Sequence, residues 1–141
     1  MLLKTKYDIG KIPHSEYPRP QLVRDSYLTL NGEWDLSKRC EDNRIIDYGK
    51  IIVPFSPESH NSGVSADFTL GGKETLIYNR EFTLDEAFIE GATVIHFGAV
   101  DCKCAVYLNG ELVCEHLGGF TPFSADVSKY IKPGINKITV D

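Results

Sequence analysis

Turn-forming dipeptides recur along this chain and leave only short segments between them. They are Asn31-Gly32, Gly71-Gly72, Asn109-Gly110, Gly118-Gly119 and Pro133-Gly134. Asn-Gly is the strongest short-range hairpin signal, because both residues tolerate the positive φ angles of a type I′ turn. The intervening runs have strand length, and no window of about 11 residues keeps the period of an amphipathic helix. The pattern predicts an all-β domain, as a sandwich, a jelly roll or a small barrel.

Apolar or alternating runs define the predicted strands. The runs are 28–30, 33–36, 50–55, 76–82, 93–97, 105–108, 112–116, 124–127 and 136–140. Hairpins are expected where Asn31-Gly32 and Asn109-Gly110 separate two runs. Short helical turns are expected only at 84–88 and 127–131. The first 20 residues contain three prolines and are predicted to form an extended arm, with residues 21–141 forming one β-sandwich.

Composition excludes several classes of function. The net charge is -5, and lysines and arginines are dispersed, so a nucleic-acid partner is not expected. No apolar run approaches the ~20 residues of a membrane span, and the N-terminus lacks the apolar core of a signal peptide. We therefore expect a cytoplasmic protein. The histidines and aspartates lack metal-ligand spacing, so no metal and no cofactor are expected.

Cysteine spacing gives no redox or zinc motif. The cysteines are Cys40, Cys102, Cys104 and Cys114, without a C-x-x-C pair. In a cytoplasmic protein they are expected to be reduced and buried. A two-residue turn at Asn109-Gly110 would place Cys114 opposite Ala105, on the other face from Cys104. That geometry predicts no disulfide between Cys104 and Cys114.

A series of motifs in a fixed order resembles a known family along nearly all of the chain after residue 18. The motifs are Arg19-Pro20, Leu30-Asn-Gly-Glu-Trp-Asp-Leu36, Val53-Pro-Phe-Ser-Pro-Glu-Ser59 with Ser62-Gly63, Tyr78-Asn-Arg-Glu-Phe82, His96-Phe-Gly-Ala-Val-Asp101, Val106-Tyr-Leu-Asn-Gly110, His116-Leu-Gly-Gly-Phe-Thr-Pro-Phe123, Asp126-Val127 and Gly134-Ile-Asn136. Together they resemble the N-terminal sugar-binding domain of family 2 glycoside hydrolases, the β-galactosidase and β-glucuronidase group. The resemblance implies a jelly-roll β-sandwich of the galactose-binding-domain-like type.

The same resemblance implies a role within a longer enzyme. Family members are retaining β-glycosidases whose two catalytic carboxylates lie on a TIM barrel. This chain has neither the length nor the βα alternation for that barrel, so it is expected to be a non-catalytic fragment with no catalytic residue of its own. Its expected partners are the barrel and other domains of the parent chain, a β-galactoside or β-glucuronide, and a second copy if the parent is a homo-oligomer. A free-standing carbohydrate-binding module and a purely structural domain remain alternatives.

Candidate sugar contacts follow from side-chain chemistry. The loop 57–63 resembles the family loop that reaches the barrel mouth, and its polar side chains can hydrogen-bond hydroxyl groups. Asn61 and Glu58 are the first candidates and His60 the third, against the alternative of an exposed loop that only turns the chain. His116 precedes the Gly118-Gly119 turn and is a fourth candidate. The aromatic residues Phe120, Phe123 and Tyr107 either fill the core or form a stacking platform for a sugar ring.

Overall fold

The computed structural model describes residues 12–16, 21 and 23–141 of the chain. In this part the predicted all-β class is confirmed, since it contains eight strands and two 3-10 helices. The strands are β1 (Gly32–Arg39), β2 (Ile45–Val53), β3 (Thr75–Leu84), β4 (Val94–Phe97), β5 (Lys103–Leu108), β6 (Glu111–Leu117), β7 (Phe123–Asp126) and β8 (Gly134–Val140), and the 3-10 helices are His60–Ser62 and Ala87–Ile89. The chain forms two compact units, Met1–Thr75 and Leu76–Asp141.

The first unit is built on an antiparallel hairpin of β1 and β2. Strand β1 alternates inward and outward residues, which buries Trp34, Leu36 and Lys38 on one face. Ile51 of β2 pairs with Trp34 and is fully buried. Burying an aliphatic side chain of this size contributes roughly 1.5–3 kcal/mol. The indole N–H of Trp34 donates to Leu30 O at 2.7 Å, so the buried ring leaves no unpaired donor.

The hairpin turn lies elsewhere than the sequence predicted. Asn31-Gly32 was expected to join two strands, but Gly32 opens β1 and pairs with Val53. The run 28–30 is not a strand, and every other predicted run overlaps one. The observed turn lies between β1 and β2, where Cys40 N donates to Arg44 O and Asn43 adopts a φ of 64°. The first half of β2 was not predicted from the sequence. Its first three residues are all exposed, and a bulge beside Leu36 interrupts the alternation of inward and outward side chains.

The second unit contains two antiparallel sheets. In one, the strands are neighbours in the order β3-β8-β5-β6, and in the other β4 pairs with β7. Strand β8 pairs with both β3 and β5, which explains why Asn136, Ile138 and Val140 are buried. The predicted hairpin at Asn109-Gly110 is confirmed, with φ angles of 52° and 90° at the two turn residues.

Both predicted helical turns have a counterpart in the second unit. The segment predicted at 84–88 is a 3-10 helix displaced to Ala87–Ile89. At 127–131, the backbone N–H groups of Tyr130 and Ile131 both donate to Val127 O and close a single turn. Neither segment extends further, in keeping with the absence of a helical period in the sequence.

A bulge in the β5–β6 hairpin changes the relation between two cysteines. The register shifts between Val106 and Tyr107, so Cys114 lies opposite Val106 and not Ala105. The prediction that Cys104 and Cys114 occupy opposite faces was therefore wrong. Diagonal neighbours on one face are about 7–8 Å apart, beyond the span of a disulfide, and both are free thiols whose pKa values are raised by burial.

The expected burial of the cysteines holds for only one of them. Cys104 is buried, Cys40 and Cys114 are half-buried, and Cys102 is exposed. Of the predicted arm, residues 12–16 are described, and the rest of residues 1–20 lie outside the described residues. Among the described residues, no helix has the length and apolar character needed to cross a bilayer.

Candidate functional site

The loop 57–63 is a tight turn built from serine hydroxyls. Ser59 caps the 3-10 helix His60–Ser62, its Oγ accepting from Asn61 N at 3.3 Å. Ser62 is fully buried, and its Oγ lies 2.7 Å from Ser59 O and 3.2 Å from Pro57 O. The helix ends at Gly63, whose φ of 75° reverses the chain. These contacts fix the backbone from which the candidate side chains project.

Asn61 combines burial with an unused side-chain amide. Its exposed fraction is 8%. Within the described residues its amide makes no hydrogen bond, and no buried side-chain N or O atom lacks a partner. The amide atoms of Asn61 must therefore be reached by solvent. An amide can donate two hydrogen bonds and accept two, so this group is available to a ligand that approaches from solvent.

The other candidates of the loop are more open. Glu58 and His60 are both exposed and stand on either side of Ser59, within the same turn as Asn61. The structure thus brings three of the four predicted residues together on one short loop. The fourth, His116, belongs to the second unit.

The side chain of His116 contacts the loop that follows β6. Its ring stacks on Phe123 with the centroids 4.2 Å apart. Its Nε2 lies 3.1 Å from Gly118 O and 3.2 Å from Thr121 Oγ1. Because a carbonyl oxygen only accepts, Nε2 carries a proton donated to Gly118 O. The ring edge therefore holds the β6–β7 connection closed and is not directed to solvent as a free donor.

The three aromatic residues considered as a stacking platform differ in their exposure to solvent. Phe123 stacks on Phe97 at 4.7 Å as well as on His116, so its ring faces are covered. Tyr107 is half-buried. Phe120, by contrast, is 96% exposed. Only Phe120 of the three presents its ring fully to solvent.

An ion pair between the buried Lys38 and the half-buried Glu74, which no sequence motif predicted, anchors the segment before β3. Lys38 Nζ donates to Thr69 O at 2.9 Å and to Glu74 Oε2 at 3.0 Å, and the lysine side chain is 5% exposed. The hydrogen bond to Glu74 raises the pKa of Lys38, while the N–H of Gly71 and then Lys38 lower the pKa of Glu74. The sequence feature that indicates a buried partner for Lys38 is its inward position, two residues beyond Leu36 on an alternating strand.

A second polar network explains two of the sequence motifs. Asn136 is fully buried, and its Oδ1 accepts from Asn109 Nδ2 at 2.8 Å and from Lys132 N at 3.0 Å. Its Nδ2 donates to Lys132 O and Gly134 O. Asn109 Nδ2 also donates to Tyr130 O. The Asn-Gly turn and the Gly-x-Asn segment are thus joined by amide hydrogen bonds that hold the scaffold together.

Carboxylates and metal-binding groups are dispersed. Glu33 and Asp35 both lie near Lys50 Nζ on the exposed face of the hairpin, at 3.4 Å and 2.7 Å. In the described part of the chain, no group of three or more His, Cys, Asp or Glu is placed to hold a metal ion.

Comparison with known proteins places this chain in a family. The family model "Glycosyl hydrolases family 2, sugar binding domain" matches residues 48–141. A β-glucuronidase of Felis catus is 37% identical over 134 residues, covering 84% of this chain and 20% of that protein. A β-galactosidase of Thermoanaerobacter pseudethanolicus is 46% identical over 57 residues, covering 40% of this chain and 8% of that protein.

A solved structure agrees with the sequence comparison. The β-glucuronidase of Bifidobacterium dentium, complexed with coumarin-3-O-glucuronide, matches with a TM-score of 0.62 and 27% identity, over 79% of this chain and 19% of that one. This likeness confirms the predicted sandwich fold. The chain spans 8% to 20% of the length of the relatives compared. The chain belongs to glycosyl hydrolase family 2 and carries the sugar-binding domain of that family.

Proposed function

We propose that this chain is the non-catalytic sugar-binding domain of a longer retaining β-glycosidase that hydrolyses terminal β-galactosides or β-glucuronides. The family match and the small share of each relative that the chain covers support this proposal. A retaining glycosidase needs two carboxyl groups about 5–5.5 Å apart, one as acid/base and one as nucleophile. Glu74, engaged by Lys38 and Gly71, and Glu33, beside Lys50, already have structural partners here. The acid/base pair would then come from another part of the parent polypeptide.

The observation that carries the sugar-binding role is the unbonded amide of Asn61. A pyranose presents adjacent hydroxyls, each of which donates and accepts, and an amide matches both functions. The serine contacts of Ser59 and Ser62 fix the loop, so little conformational entropy would be lost on binding. Glu58 and His60 flank the amide and would contact the outer hydroxyls. His116 would act indirectly, by holding its loop.

The cellular setting forms part of the proposal. We place the parent enzyme in the cytoplasm, with the other domains of its own chain as partners. The four cysteines are free thiols, and Cys102 is exposed. Exposed free thiols are typical of a reducing compartment, which supports this location.

The sugar-contact role is tested by titrating the ¹⁵N-labelled chain with methyl β-D-galactopyranoside and with methyl β-D-glucuronide. We expect a Kd no tighter than about 1 mM, because an accessory domain supplies only part of a substrate site. Amide shifts should concentrate at Glu58–Gly63 and be lost in Asn61→Ala. The matched control is Asn43→Gly, which alters an exposed turn residue of the same unit and keeps its positive φ angle.

Two outcomes would contradict the proposal. Unchanged binding by Asn61→Ala would remove the loop from the sugar contact. Micromolar affinity of the chain alone would indicate a free-standing lectin-like module. The enzyme assignment is tested separately, by sequencing the source gene beyond the codon for Asp141. We expect the frame to continue into a barrel with two glutamates at strand ends, and a stop codon within a few residues would overturn it.

A further inference from the structure

The connection between β6 and β7 presents an apolar surface to solvent. Phe120 is 96% exposed, and Leu117, at the end of β6, is 76% exposed. Isolated exposed apolar residues are common on soluble proteins and do not by themselves indicate a site. Two further properties of this loop distinguish it: the loop is rigidly supported, and an unpaired carboxylate lies beside it.

The support comes from both ends of the loop. Gly118 N donates to Cys102 O at 2.7 Å, and Gly118 adopts a φ of 136°. His116 Nε2 bonds Gly118 O from within the loop, and Thr121 Oγ1 lies 3.4 Å from the same oxygen. A ligand that binds Phe120 would therefore meet a backbone that is already ordered.

The carboxylate belongs to Asp101. A methyl group at Gly119 would collide with the Asp101 carboxylate and lie 3.2 Å from Asp101 Cβ, so this carboxylate packs directly against the residue before Phe120. Asp101 is exposed, and within the described residues it makes no hydrogen bond or ion pair. An unpaired carboxylate from the β4–β5 connection thus packs against the β6–β7 loop, next to the residue that carries the exposed ring.

We propose that Phe120 and Asp101 form a second sugar-binding surface, distinct from the loop 57–63, which binds a neutral pyranose. The C–H face of the pyranose would stack on the phenyl ring. Two adjacent hydroxyls would donate to the carboxylate oxygens, which only accept. A uronic acid would bring its own negative charge toward Asp101 and bind less well. That the ligand is a sugar rests on the function proposed above. The surface formed by Phe120 and Asp101 does not itself depend on Asn61.

The experiment is the amide titration of the ¹⁵N-labelled chain, extended to about 100 mM of each glycoside so that binding with a Kd well above about 1 mM is still detected. We expect shifts at Asp101 and at Gly118–Thr121 with the galactoside, and weaker shifts with the glucuronide. Phe120→Ala should weaken binding at least about tenfold, and Phe120→Trp should strengthen it because the larger ring offers more stacking area. The control is Ile135→Ala, which truncates another exposed apolar residue of the same unit.

Asp101→Asn tests the charge separately. It keeps a hydrogen-bonding group, so galactoside binding should weaken only several-fold. It removes the negative charge, so the preference for galactoside over glucuronide should narrow. A merely structural role of Asp101 would affect both ligands equally and would overturn the assignment of the carboxylate.

The two sugar-contact proposals fail separately. Shifts confined to Glu58–Gly63 would support the contact proposed for Asn61 and overturn the Phe120 surface. Shifts confined to Asp101 and Gly118–Thr121 would do the reverse. Shifts of the neighbouring amides of Gly118, Gly119 and Thr121 that depend on protein concentration without sugar, and that are absent in Phe120→Ala, would identify a protein contact and overturn the sugar assignment.

Discussion

Two asparagines, one in each compact unit, are both buried, but the side-chain amide of one is fully hydrogen-bonded and that of the other makes no hydrogen bond to the described residues. In the second unit, Asn136 is fully buried, and its amide uses both donors and both acceptor positions. In the first unit, Asn61 is 8% exposed, and its amide has no partner among the described residues. Residue type and burial are thus nearly the same, and the hydrogen-bond inventory separates a scaffold residue from a candidate binding residue.

The largest expected effect comes from Asn136→Ala. The substitution removes the four part-buried hydrogen bonds of the Asn136 amide, to Asn109, Lys132 and Gly134, and each such bond contributes about 0.5–1.5 kcal/mol. We expect the free energy of unfolding to fall by about 3 kcal/mol or more, measured by urea denaturation. A loss below about 1 kcal/mol would show that water replaces the network, and the contrast with Asn61 would disappear.

A smaller loss is expected for Gly119→Ala, which tests how firmly the β6–β7 loop is packed. The added methyl group would collide with the Asp101 carboxylate, and overpacking of this kind costs about 1–3 kcal/mol. Gly98→Ala is the control, because a methyl group there meets nothing within 4 Å. Adding Asp101→Ala to Gly119→Ala should recover most of the loss, and failure to recover it would contradict the proposed contact.

Glu74→Gln tests whether the ion pair of the first unit is also structural. The pKa of Glu74 is lowered in the folded state, first by the N–H of Gly71 and then by Lys38. Its contribution is therefore complete above the ordinary value of 4.5 and is lost as the pH falls through the folded pKa, which lies below 4.5. We expect the variant to melt roughly 5 °C lower at neutral pH, with the difference shrinking in acid.

The matched control for that experiment is Glu41→Gln. Glu41 pairs with Lys73 at 3.6 Å, and both side chains are exposed. Exposed pairs contribute little to stability, so no change in melting temperature is expected at any pH. Equal effects of Glu41→Gln and Glu74→Gln would show that burial of the Lys38–Glu74 pair has no consequence.

The smallest effect on stability is expected for Asn61→Ala. Because its amide makes no hydrogen bond to the described residues, truncation removes no bonded pair. We expect the free energy of unfolding to change by less than about 1 kcal/mol in urea denaturation. A loss comparable to that of Asn136→Ala would identify Asn61 as a scaffold residue and break the comparison.

Much of the fold was predictable because local signals agreed with the final structure. Asn109-Gly110 needs positive φ angles at both residues, and the hairpin forms there. Asn31-Gly32 carries the same dipeptide but opens β1 instead, since pairing of Gly32 with Val53 places Trp34 and Leu36 in the core. Local turn chemistry is the same at the two sites, and the burial of apolar side chains decides between them.

The candidate site was predictable in chemistry but not in arrangement. The sequence identified Glu58, His60 and Asn61 as polar loop residues, and the structure places them on one capped turn. The sequence did not indicate that Asn61 is buried with an unbonded amide, whereas the side chains of Glu58 and His60 beside it are exposed. Nor did it distinguish the exposed Phe120 from the stacked Phe123, since both follow the same glycine pair.

The sequence by itself determined the class of the protein, through the order of its motifs and the spacing of its turns. These depend on near neighbours in the chain, where backbone sterics and alternation act over a few residues. Only the tertiary structure decided which polar groups are satisfied. The bulge that brings Cys114 opposite Val106, and the partners of Lys38 and Asn136, depend on residues distant in sequence or on strand register. Such pairings are set by packing, which no local pattern encodes.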